Sequence, residues 1–123
     1  MRDVLVKLSD AAVQKFGADY AEARAQRLSK TMLTVKEDRV EAAKQGIEDG
    51  AALRVLVNGA WGFASVGSLD AAALTKAVSD ACRMAKAASS RLKASIKLAD
   101  AKTVEDRVQV KPKKNPSEIG MED

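Results

Sequence analysis

Gly50-Ala51-Ala52-Leu53-Arg54-Val55-Leu56-Val57-Asn58-Gly59-Ala60-Trp61-Gly62-Phe63-Ala64-Ser65 is the stretch whose reading decides the rest. Two β-rich runs flank Asn58-Gly59, the dipeptide best suited to the two positive-φ positions of a type I′ turn, so a tight hairpin is predicted. A two-residue loop fixes the register: Val57 faces Ala60, Leu56 faces Trp61, Val55 faces Gly62 and Arg54 faces Phe63. Alternation then sorts the side chains into two faces. Leu53, Val55, Val57, Ala60, Gly62 and Ala64 make a small apolar face for a closely packed helix, with Gly62 admitting the helix backbone. Arg54, Leu56, Trp61, Phe63 and Ser65 make the other, where aromatic and cation–π contacts are available across the strands. A hairpin apolar on both sides needs two covers. The second is either the sheet rolling or the second helix folding over it, or a partner surface from another domain or subunit. Those five residues are the candidate interface.

Upstream of the hairpin, Leu5, Leu8, Ala12 and Phe16 recur at three- and four-residue steps. They predict a helix from about Asp3, as N-cap, to Phe16, stopped by Gly17. The period then changes to two: alanines alternate with larger, mostly polar residues over Asp19–Gln26, the pattern of a half-buried strand. Alanine's helix propensity opposes that reading, and the period outweighs it. Ser29-Lys30 reads as a break, Thr31–Lys36 as a second strand, Glu37-Asp38-Arg39 as a polar turn and Val40–Gln45 as a third strand. Gly46 and Gly50 bracket Ile47-Glu48-Asp49 as a bulge or loose loop. The hairpin supplies strands four and five.

Downstream, Ser68 is the expected N-cap of a second helix, with Asp70 in its first turn. Leu74, Ala77, Val78, Ala81, Cys82, Ala85 and Ala88 form its apolar stripe, and the helix should end between Ser89 and Ala94. The fold expected is α+β: helix, antiparallel sheet of about five strands, helix, with both helices packed on the sheet. Residues 1–97 form that domain. Residues 98–123 read as a linker-like tail, charged and proline-bearing around Lys111-Pro112-Lys113-Lys114-Asn115-Pro116.

Composition narrows the function by exclusion. At 123 residues the chain has room for one modest core, and its 3% aromatic content leaves that core to Ala, Val and Leu. A net charge of +4 with interspersed signs is not the basic stripe of a nucleic-acid binder, so nucleic acid is not an expected partner. The apolar run at the N-terminus is broken by Asp3, Lys7 and Asp10, which excludes a signal peptide, and no apolar stretch would span a membrane. A single cysteine suits a reducing, cytoplasmic setting. With no histidine, the chain lacks the commonest general base and zinc ligand. Cys82 belongs to a buried helical stripe and is expected to be inert. The acid pairs Glu37-Asp38 and Glu48-Asp49 fall in predicted turns and are expected to be solvated. The glycines at 59, 62 and 67 lack the lysine and hydroxyl residue that end a phosphate loop.

The run Gly46…Gly50…Leu53-Arg54-Val55…Asn58-Gly59-Ala60-Trp61-Gly62-Phe63-Ala64-Ser65 resembles the amino-terminal domain of the TldD/PmbA family. Asp19-Tyr20-Ala21-Glu22-Ala23-Arg24 and the Ala-rich helix from Ser68 to Ala88 agree with it, so the resemblance covers about residues 1–95. It implies a zinc metallopeptidase several times longer, cleaving peptides or unfolded segments and acting as a homo- or heterodimer. The family's His-Glu-x-x-x-His motif lies in a later domain and has no counterpart here. No catalytic or metal residue is therefore carried over, zinc is expected only in that absent domain, and this chain alone should be inactive. The implied role is a non-catalytic domain for dimerisation, domain docking or substrate guidance. The alternatives are a naturally short regulatory or adaptor partner of an active subunit and, less favoured, a nucleic-acid-associated modulator, after the family's older association with DNA gyrase. The unpatterned tail favours an amino-terminal part of a longer protein.

Overall fold

A computed structural model describes residues 1–120. The element order is α1 (Arg2–Gln14), β1 (Tyr20–Lys36), β2 (Arg39–Val57), β3 (Ala60–Val66) and α2 (Ala71–Ser89), with a single 3-10 turn at Pro116–Glu118. The class is α+β, but the sheet has three antiparallel strands in the order β1-β2-β3, not five. The expected first and second strands are one 17-residue strand, and the expected third and fourth are one of 19 residues. Neither supposed break interrupts the ladder: Ser29 pairs with Ile47, Lys30 with Gly46 and Gln26 with Gly50. Glycine weakens a strand without forbidding it, and a paired neighbour supplies the hydrogen bonds that hold it extended. The one register shift lies between Thr34 and Val35 instead.

Both strand connections are two-residue turns in the left-handed region. Asn58 (φ 48°) and Gly59 (φ 78°) close β2 onto β3 in the expected register from Val57–Ala60 through Arg54–Phe63. Glu37 (φ 48°) and Asp38 (φ 61°) close β1 onto β2, where no glycine advertises the turn.

Both helices lie on one face of the sheet, and the core between the layers is built from small residues. Leu53, Val55 and Val57 meet Leu8 and Ala12 of α1 and Leu74, Val78, Ala81, Cys82 and Ala85 of α2, while Ala21, Ala23 and Ala25 of β1 pack against the rim. Those three alanines show why Asp19–Gln26 is a strand: burial under α1 and pairing to β2 override a local preference for helix. The closest approach is at Gly62. A Cβ there would fall on the carbonyl of Ala81, so α2 lies against the β3 backbone as the hairpin pattern required. Ala88, expected to end the buried stripe, is exposed.

The helix starts differ from expectation. In α1 the N-cap is Met1, with no side-chain cap, and Asp3 sits in the first turn. At its end, Gly17 (φ 72°) reverses the chain, and the Phe16 and Ala18 amides return to the carbonyls of Ala11 and Ala12. In α2 the N-cap is Asp70, not Ser68: the Asp70 carboxylate accepts from the Ala73 amide at 3.0 Å, and Ser68 Oγ accepts from the Asp70 amide at 3.0 Å. A carboxylate is the stronger acceptor and adds a favourable charge at the helix N-terminus. Asp70→Ala is expected to cost about 1 kcal/mol, read as a lower urea midpoint at unchanged slope.

Beyond the body, β1 and β2 continue as a two-stranded arm, residues 28–48, which lies almost wholly exposed. Ion pairs link the strands at its base: Arg27 to Asp49, just below the arm, through two bonds of 2.8 and 2.6 Å, and Lys30 to Glu48 within it at 2.7 Å. The Arg27 guanidinium holds the Asp49 carboxyl below the usual carboxylate range, chiefly through that hydrogen bonding. After α2 the chain has no helix or strand from Arg91 to Asn115. Residues 121–123 of the expected tail lie outside the described residues.

Candidate interaction face

The sheet face opposite the helices carries the candidate residues, and the structure divides them. At the hairpin end, the register aligns Tyr20, Leu56 and Trp61 in one row across β1, β2 and β3. Leu56 is 6% exposed although no helix covers this face. Its flanking rings belong to a cluster in which Tyr20 meets Trp61 edge-on, with ring centroids 6.2 Å apart and planes at 83°. The next row aligns Glu22, Arg54 and Phe63. Arg54 reaches back over the Trp61 ring, 4.5 Å from its centroid, and its Nε lies 2.6 Å from the Glu22 carboxylate. Tyr20 donates its hydroxyl proton to the same carboxylate at 3.0 Å, which raises the phenol's pKa. Glu22 thus holds Arg54 and Tyr20 together, and both touch Trp61.

Arg54, Leu56 and Trp61 therefore form one unit. The cation–π contact runs diagonally to Trp61, not to the facing Phe63. Phe63 is left 54% exposed beside Arg54, where Ala52, Arg54 and Phe63 line a shallow groove with Glu22, Ala23 and Arg24. Ser65 is separate: it is exposed and lines another groove, with Arg24, Gln26, Gly50, Ala52 and Val66. Of the covers offered for this face, the second helix is ruled out, because α2 is drawn to the opposite side by Gly62 and the alanines. Cover comes in part from the face's own rings, and Phe63 stays open.

Tyr20 and Glu22 were missed as site residues. Alternation put both on the wet side of their strand, but their distance from the hairpin depends on the β1–β2 register, which a remote turn sets. An aromatic residue in an otherwise polar row was the available signal.

The residues present do not fit a zinc ion. Among the described residues no three His, Cys, Asp or Glu side chains converge. Glu48 and Asp49 are not in a turn: they are neighbours on β2, so they point to opposite faces, each with its own cation. Glu37 and Asp38 occupy the exposed tip of the arm. Cys82 is buried, which pushes its thiol pKa up and away from thiolate chemistry.

The chain is an α+β layer with one helix-covered face and one aromatic, partly open face. The family described as PmbA/TldA metallopeptidase domain 1 matches residues 21–85, more than half of the sequence. The chain belongs to that family. It is similar to Metalloprotease MJ0996 of Methanocaldococcus jannaschii, 29% identical over 105 residues, covering 85% of this chain and 23% of the relative. Its fold is similar to that of TldE from Thermococcus kodakarensis, with a TM-score of 0.69 at 19% identity, covering 89% of this chain and 24% of that one. The chain thus spans about a quarter of the length of these relatives. Among the described residues no helix is long and apolar enough to cross a membrane.

Proposed function

We propose that this chain serves as a non-catalytic docking and guidance domain of a PmbA/TldD-type metallopeptidase that cleaves peptides or unfolded segments. Its partner is a TldD/PmbA-like subunit, in a homo- or heterodimer, or a later domain of the same protein. Zinc and peptide-bond cleavage belong to that later domain, whose length the relatives possess. The observation that carries the reading is the open aromatic face. Phe63 is a large apolar side chain more than half exposed, next to an Arg54–Trp61 stack already held in place by Glu22. Arginine, tryptophan and neighbouring aromatic residues are the types that dominate binding energy at interfaces. Their fixed geometry lowers the entropy lost on docking. The unpaired outer edge of β1 also offers backbone groups to an extended peptide, which suits substrate guidance. A stand-alone adaptor of an active subunit would use the same face.

The test is partner binding by a Trp61→Ala variant and a Phe63→Asp variant. Each is expected to weaken binding to a TldD/PmbA-like subunit, or self-association, on the order of tenfold or more. Folding cooperativity in urea should stay intact, most clearly for Phe63→Asp, since that side chain is outside the core. Unchanged binding by Phe63→Asp, or loss of monomer stability as the sole effect of Trp61→Ala, would count against the proposal.

A further inference from the structure

The arm has two unlike faces. Ser29–Ile47, Thr31–Gln45 and Leu33–Ala43 are facing pairs on the side that continues the core face, and none of these six residues is charged. Lys30, Lys44 and Glu48 all project from the other side. A two-stranded ribbon with nothing on its faces is at best marginally stable in water. Among the described residues no helix lies over this uncharged side, and even beside the tail Ile47 stays 71% exposed, so whatever cover it receives is partial.

The tail reaches that side. It leaves α2 against the tip of the hairpin, where the Ile96 amide donates to the Gly59 carbonyl at 3.0 Å and Ser95 fills the space beside Gly59. It then passes the start of α1, where Glu105 pairs with Arg2 at 2.7 Å. It ends in the 3-10 turn, capped by Asn115, whose side chain accepts from the Ser117 amide. Pro116, Ser117 and Ile119 there line one cleft with Ser29, Thr31, Gln45, Gly46 and Ile47 of the arm. Ile119 is 36% exposed, whereas Val104, Val108 and Val110 of the same tail are 76%, 84% and 85% exposed.

We infer that the uncharged side of the arm is a docking seat, that its occupant is the chain's own segment Pro116–Ile119, and that the tail acts as a clasp holding the arm to the body. The tail is hydrogen-bonded at the hairpin and ion-paired once at Arg2, and its 3-10 turn lines the cleft beside the arm. It therefore runs from the Asn58-Gly59 turn to the arm without secondary structure of its own before the 3-10 turn. Proline at the start of the 3-10 turn limits the freedom of the segment before it docks.

Amide hydrogen exchange on the whole chain tests this. Ile119→Asp is expected to speed exchange in 29–33 and 43–47 about tenfold, the effect of withdrawing a half-buried aliphatic side chain from its seat. Amides in 53–57 and 60–64 should be unaffected. Val108→Asp, in the same tail but with no seat, should leave the arm as it is. Because both positions are at the surface, neither variant threatens folding, and the core amides report it directly. The inference is overturned if Ile119→Asp leaves arm exchange unchanged, or if Val108→Asp changes it equally. It is also overturned if arm protection in the parent chain rises with protein concentration, since a second copy would then be the occupant.

Discussion

Replacing Gly62 with alanine is expected to destabilise the domain by on the order of 3 kcal/mol, near the upper end for overpacking. The added methyl would fall on the Ala81 carbonyl oxygen, with the Ala81 carbonyl carbon at 2.9 Å and Ala85 Cβ at 3.0 Å. Two of those three atoms are backbone. A side chain could rotate away, but a helix backbone must move as a body. Moving α2 outward would strip Leu74, Val78 and Cys82 from the sheet, all of them at most 2% exposed. No side-chain substitution elsewhere removes a carbonyl, so Ala85→Gly should rescue the variant only in part. Thermal unfolding is the measurement. A loss of that size in a domain of this scale corresponds to a fall in Tm of roughly 10 °C or more. A shift of a degree or two would mean that α2 does not lie this close to β3.

Leu53→Ala is the second large effect, expected at about 3 kcal/mol. Leu53 is 1% exposed on the central strand, between Ala23 and Ala64 in the cross-strand row. Much of its surroundings is alanine, which has no spare length to fill a vacated volume, and the layers are already close. The cavity should therefore persist and its cost should be near-additive to the lost burial. Urea denaturation should show a lower midpoint with little change of slope. Phe63→Ala, also in the hairpin but on the open face, is the matched comparison and should stay within about 0.5 kcal/mol.

Legibility in the sequence followed the range of the interactions. The Asn58-Gly59 register, the helix-facing set from Leu53 to Ala64 and the role of Gly62 were readable because a two-residue turn is local chemistry and alternation carries it outward. The stripe from Leu74 to Ala85 was readable for the same reason. The strand count was misread because Ser29-Lys30 and Gly46…Gly50 look like punctuation, whereas pairing across the arm decides their conformation. The turn at Glu37-Asp38 was placed, but its left-handed backbone was not signalled, since neither residue is glycine. The candidate face was half visible. Arg54, Leu56 and Trp61 emerged from the hairpin alone, while Tyr20 and Glu22 join through a strand whose register is set about 50 Å of ribbon away, at about 3.3 Å per residue. Membership of the family was carried by the hairpin run, and the match over residues 21–85 includes it entirely.

The outer edge of β1 has a consequence for how copies of this chain meet. Among the described residues it is unpaired along its whole length, which makes it a template for another strand. Yet β1 carries Arg24, Arg27, Lys30 and Lys36 against the single acid Glu22. Arg27, Lys30 and Lys36 are each paired with an acid of β2. Laying two such edges together would therefore crowd long, already paired side chains against one another and leave Arg24 facing like charge, which disfavours edge-to-edge pairing modestly. The charged side chains that brace β1 against β2 thus also make this edge a poor partner for its own duplicate.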